Sequence, residues 1–225
     1  MNATKGFLLA LIFMANTSFM TTEKKYTMLC LGDSYTIGEA VQEAERFPMQ
    51  AVEMLNKKGV HFEKPEIIAK TGWTTDELAA AVKEKHLSGH YDFVTLLIGV
   101  NNQYRGRDID NYRKEFNELL NTAIHYSNGN RAHVFVISIP DWGVTPFGNN
   151  DKRGEKQIGE EIDHYNATAK QEALKAKVNY IDITPASRLA KTDAALIATD
   201  GLHPSGKMYK QWAEKLVEGV NGKIR

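Results

Sequence analysis

The chain has 225 residues, of which 42% are apolar and 25% charged, the balance of a soluble globular protein rather than of a disordered or collagenous one. Its 28 basic and 28 acidic side chains cancel, so no net field exists to gather nucleic acid or an anionic bilayer, and binding must rest on local chemistry. The length suits one α/β domain with a full core and is short for two.

At the N-terminus, Lys5 precedes an apolar run over 6–15 that gives way to Asn16, Thr17 and Ser18. That is the pattern of a secretory signal peptide, which we assign to residues 1–20, leaving a single domain over 21–225 and implying export to the periplasm or the exterior. The competing reading is a plain N-terminal tail, because the charged region holds one lysine and the cleavage site is poorly marked. The run is too short for the ~20 residues that span a bilayer, so no permanent membrane anchor is expected.

From there, short runs rich in β-branched and aromatic residues alternate with amphipathic stretches. Strands are expected over 26–31, 65–69, 93–98, 133–139 and 178–183, and helices over 47–58, 75–86, 110–126, 156–177 and 205–220. Such alternation favours a parallel sheet with right-handed crossovers and helices on both faces, a three-layer α/β/α sandwich. The first strand carries Cys30, the only cysteine, which excludes an internal disulfide and reads as a small buried hydrophobe. The stretch 140–154, rich in Gly, Pro and Asn, would leave the fourth strand at its carboxyl end, where open α/β sheets bind ligands, and is a candidate lid.

Four segments carry chemistry. The first strand runs into Gly32-Asp33-Ser34-Tyr35-Thr36-Ile37-Gly38, so Ser34 emerges at the sheet's carboxyl edge, where glycines allow a tight turn and backbone N–H groups can face an oxyanion. A hydroxyl attacks poorly without a base, and Asp200-Gly201-Leu202-His203 supplies one ahead of the last helix. In a turn, that spacing lets Asp200 orient one imidazole nitrogen while the other faces Ser34. Gly72, after the second strand, and Asn101 and Asn102, after the third, could aim donors at the same edge. Each segment alone also reads blandly, as a capped turn, a surface histidine or an Asn-rich loop; their joint occurrence at one edge carries the argument.

Gly32-Asp33-Ser34, Gly72, Asn101 in Gly-x-Asn, and Asp200-x-x-His203 together resemble the four sequence blocks of the SGNH (GDSL) hydrolases. The resemblance runs from about Tyr26 to the C-terminus. It implies a flavodoxin-like sheet of order 2-1-3-4-5, a catalytic Ser34, His203 and Asp200, and an oxyanion hole formed by the N–H groups of Ser34 and Gly72 with the Asn101 side chain. Asn102 stands where the family commonly has Asp, which bears on local hydrogen bonding in that loop.

Other chemistries lack their signatures. No Gly-x-Ser-x-Gly elbow, phosphate loop, dinucleotide fingerprint, His-Glu-x-x-His or cysteine pair occurs, and a metal phosphoesterase built on Asp33, Asp200 and His203 would want further acidic ligands. No metal or cofactor is expected. Trp73, Asn102, Tyr104, Arg105 and Trp142, with Phe147 in the candidate lid, are the expected substrate contacts; tryptophans in these places are as readily simple core. Aromatic rings beside amide and guanidinium groups suit an acylated sugar, so a small-molecule or glycan ester, with a short acetyl-type acyl group, is the expected partner. The alternatives are a lysophospholipase or thioesterase, or a silent glycan-binding module on the same fold.

Overall fold

The computed structural model describes residues 24–224; the expected signal peptide over 1–20 lies outside the described residues. Five strands, β1 (Met28–Asp33), β2 (Glu66–Lys70), β3 (Phe93–Leu97), β4 (Val134–Ile137) and β5 (Asn179–Ile181), form one sheet of order β2-β1-β3-β4-β5. Every pairing is parallel, as expected from the alternating pattern and the family resemblance. β1, β3 and β4 are buried at every position, which explains runs of apolar residues without alternation: helices cover both faces.

The helices are α1 (Ser34–Ile37), α2 (Phe47–Lys57), α3 (Thr75–Glu84), α4 (Val100–Tyr104), α5 (Ile109–Tyr126), α6 (Gly154–Lys175), α7 (Thr184–Ser187) and α8 (Gly206–Asn221). α2 meets α8 where Phe47 lies 6.2 Å from Trp212 and 6.3 Å from Tyr209, centroid to centroid. α5 packs on α3 and α6, and Tyr112 lies 4.6 Å from Tyr165 at the second contact. Long elements fall close to their expected bounds. α1, α4 and α7 were not expected, because four or five residues are too few to display a helical period. Among the described residues no helix is long and apolar enough to cross a membrane.

Two local expectations change. β1 runs on to Asp33, and Gly32 serves not as a turn but as a strand residue: a Cβ there would sit 2.1 Å from Thr36 Oγ1 and 2.5 Å from the Leu97 carbonyl, so glycine lets neighbouring backbone and α1 close in. Gly38 does turn the chain, with φ +68°, and its N–H caps the Ser34 carbonyl. The stretch 140–154 is not a loose lid. It forms two 3-10 turns, Trp142–Val144 and Gly148–Asn150, and is tethered on several sides. Arg188 Nε donates to Asp141 at 2.8 Å, Trp142 Nε1 to Gln103 at 2.8 Å, and the Phe147 N–H to the Gly201 carbonyl at 2.9 Å.

Candidate active site

Ser34 is the first residue of α1, directly after the strand flanked by β2 and β3. The strand order reverses here, since β2 lies on one side of β1 and all later strands on the other; this is where open α/β sheets form a crevice. Asp33 caps the short helix by accepting the Tyr35 N–H at 3.0 Å. Its carboxyl is fully buried and its Oδ2 has no hydrogen-bond partner. Burial pushes its pKa up to about 7, against the lowering effect of the backbone bonds.

Asp200 and His203 sit on a closed loop. An antiparallel bridge joins Ile197 to Pro204, and the Ala198 N–H donates to the His203 carbonyl at 2.8 Å. Inside the loop, Asp200 Oδ1 accepts the N–H groups of Leu202 and His203, each at 2.9 Å, while Oδ2 lies 2.5 Å from His203 Nδ1. Burial opposes the charge on Asp200, but the His203 ring and the two backbone donors outweigh it and hold the carboxyl below its usual range. His203 is itself buried, with its ring edge-on to Tyr35 at 5.5 Å. With Nδ1 facing the carboxylate, Nε2 is the nitrogen left for a reacting group.

Two further loops reach the same edge and are sewn together by side chains. Asn101 Nδ2 donates to the Trp73 carbonyl at 3.0 Å, and Arg105 donates to the Gly72 carbonyl at 2.6 Å. Asn102 accepts the Thr75 N–H at 3.1 Å and donates to Thr75 Oγ1 at 2.7 Å. Gly72 holds φ +85°, a conformation open to glycine at little cost. An amide nitrogen carries two hydrogens, so Asn101 keeps one after its bond to Trp73.

A cavity of about 180 Å³ unites Ser34, Gly72, Asn101 and His203. Its walls are largely apolar, and Tyr104, Trp142 and Phe147 belong to them. Of the other expected contacts, Trp73 lies elsewhere, against Ile67, Ile68 and Ala81 in a separate hollow. Asn102 is fully buried and spends its amide on Thr75. Arg105 does not line the cavity; it ties Gly72 and pairs with Glu77 at 3.4 Å. Asn102 and Arg105 are drawn away by the joint between the two loops, through Thr75 and the Gly72 carbonyl, whereas the Trp73 ring turns toward β2 and α3. Sequence reasoning missed Tyr35, Thr71, Val100 and Leu202, which also line the cavity. Each is adjacent to an identified motif residue, and adjacency was the signal that could have found them.

The sequence matches the model of the GDSL-like lipase/acylhydrolase family over residues 30–211. No curated protein matches the chain by sequence. Among solved structures, the acetyl xylan esterase AlAXEase is similar at TM-score 0.68 and 20% identity, over 86% of this chain and 99% of that one. An acetylxylan esterase from Geobacillus stearothermophilus aligns at 0.66 and 19%, over 87% and 94%. The psychrotrophic esterase EstA from Pseudoalteromonas sp. aligns at 0.64 and 15%, over 88% and 98%. At these identities the likeness is one of fold.

Proposed function

The chain belongs to the GDSL-like lipase/acylhydrolase family, and from that premise we propose that it is a serine esterase that removes short acyl groups from carbohydrates or similar small alcohols. The observation carrying this reading is that an oriented Asp200–His203 pair and Ser34 open onto one small cavity. Ser34 attacks the ester carbonyl while His203 Nε2 takes its proton; Asp200 holds the ring and stabilises the imidazolium. The carbonyl oxygen, now negative, is received by the N–H groups of Ser34 and Gly72 and the free hydrogen of Asn101. His203 returns the proton to the leaving alcohol, and water, activated by the same ring, releases the acid and Ser34.

The size of the cavity supports a short acyl group. A cavity of about 180 Å³ with aromatic walls suits an acetyl-sized group, whereas a lysophospholipase or thioesterase would want a long apolar groove. The two acetylxylan esterases of the same fold support a sugar ester as the class of substrate. Residues 1–20 act in this reading as the export signal, to be checked by N-terminal sequencing of the mature protein.

A fluorophosphonate probe tests the nucleophile. It should label the wild type and not Ser34→Ala; equal labelling of both removes Ser34 from that role. A panel of aryl acetate, aryl decanoate and acetylated sugars tests the substrate, and preference for decanoate overturns the short-acyl reading.

A further inference from the structure

The catalytic cavity, at about 180 Å³, falls below the ~300–1,000 Å³ of sites that enclose whole small molecules. If Ser34 attacks an ester there, the cavity receives the acyl group and the reacting carbon, and the alcohol lies outside. One way out leads over Tyr104, a residue 47% exposed. Tyr104 also lines a second, larger hollow of about 530 Å³, bounded by Arg107, Arg153, Glu161, His164 and Tyr165 among others.

The wall between cavity and hollow is rigidly built. Trp142 Nε1 donates to Gln103, whose own amide donates to Glu161 at 2.6 Å. The Arg153 guanidinium lies 5.5 Å from the Tyr104 ring centre and 5.1 Å from that of Trp142; Trp142 is buried, and Tyr104 is the ring left exposed for a ligand to pack on.

Charge decides which ligand fits the hollow. Arg107 is paired with Asp76 at 2.6 Å. Arg153 makes two 3.0 Å bonds to Asp151 and a third, at 3.3 Å, to Glu161. Arg105 is taken up by Gly72 and Glu77. An anionic ligand would have to compete with these carboxylates for every arginine. Hydroxyl groups, which both donate and accept, match a surface that offers N–H groups and carboxylate oxygens side by side.

We infer that this hollow binds a second, uncharged sugar ring of the substrate, joined across Tyr104 to the ring whose ester Ser34 cleaves. The inference rests on the carbohydrate-esterase reading above and extends it from a sugar ester to an oligosaccharide ester.

The test compares kcat/KM for a monosaccharide acetate, the disaccharide carrying acetate at the same position, the corresponding uronate-containing disaccharide, and aryl acetate. The neutral disaccharide should exceed the monosaccharide by about tenfold, the worth of one stacked and hydrogen-bonded ring. His164→Trp, which introduces a bulky ring from an exposed position on α6, should cancel that gain relative to aryl acetate. Equal kcat/KM for mono- and disaccharide, or a gain that survives His164→Trp, overturns the inference while leaving the carbohydrate reading intact. Preference for the uronate overturns the choice of an uncharged ring. Turnover of aryl acetate without turnover of any acetylated sugar overturns the carbohydrate reading and this inference together.

Discussion

Asn102 holds Thr75 from two directions, accepting its N–H at 3.1 Å and donating to its hydroxyl at 2.7 Å, with both residues fully buried. The hydroxyl's only proton goes to Glu115, so Thr75 Oγ1 must accept from residue 102. An aspartate there has no proton to give and would set two carboxylates on one hydroxyl. This accounts for an amide at position 102, and it joins the loop of Gly72 to that of Asn101.

Asn102→Asp should therefore destabilise the fold by about 1–3 kcal/mol, the cost of a buried polar group left unsatisfied. Glu115→Gln should restore most of the loss, because its amide can donate to Thr75 while its oxygen still accepts from Asn111. Urea unfolding of both singles and the double checks the coupling; additive effects would refute the proton assignment.

Asp200→Asn is expected to lower kcat by roughly 10⁴-fold with little change in stability. An amide at 200 favours the wrong imidazole tautomer and leaves the imidazolium unpaired. Steady-state kinetics on aryl acetate measures this, and a loss below tenfold would mean that the 2.5 Å contact to His203 orients nothing that matters to the reaction.

Asn101→Ala should lower kcat by ~10²–10³-fold with KM almost unchanged, since in the proposed mechanism the amide hydrogen serves charge that develops only after attack. Part of any stability loss would come from the bond to the Trp73 carbonyl. A rise in KM at constant kcat would instead assign Asn101 to ground-state binding.

Asp33 gives the protein a pH dependence of defined sign. Its folded pKa, pushed up to about 7 by burial, exceeds the unfolded value of about 3.9. The folded state thus binds the proton more tightly, and stability falls as pH rises from about 4 to about 7, by up to ~1.4 kcal/mol per pH unit. Asp33→Asn keeps the acceptor for the Tyr35 N–H and removes the titration. Unfolding free energies between pH 4 and 8 should converge at acid pH and favour the variant at neutral pH; parallel curves would show that Asp33 is ionised throughout.

The alternation of strands and helices was legible because long amphipathic elements write their period into the chain, and the parallel arrangement followed from it. The Asp200–His203 contact was legible for a related reason: it spans three residues within one turn, so local geometry alone brings carboxylate and ring together. Short elements such as α1 and α4 left no period to read.

What only the tertiary structure decided is which side of each loop faces Ser34. Trp73 and Trp142 have equal standing as aromatic residues beyond strand ends, yet Trp142 lines the cavity and Trp73 lines a separate hollow against β2 and α3. Asn101 and Asn102 are neighbours, and one faces the cavity while the other is spent on Thr75. The choice depends on how two loops from adjacent strands meet, through side-chain bonds such as Arg105 to Gly72. Those bonds join residues distant in sequence, and no local pattern records them. The candidate reacting residues were therefore legible locally, while the shape of the space around them arises from packing between elements.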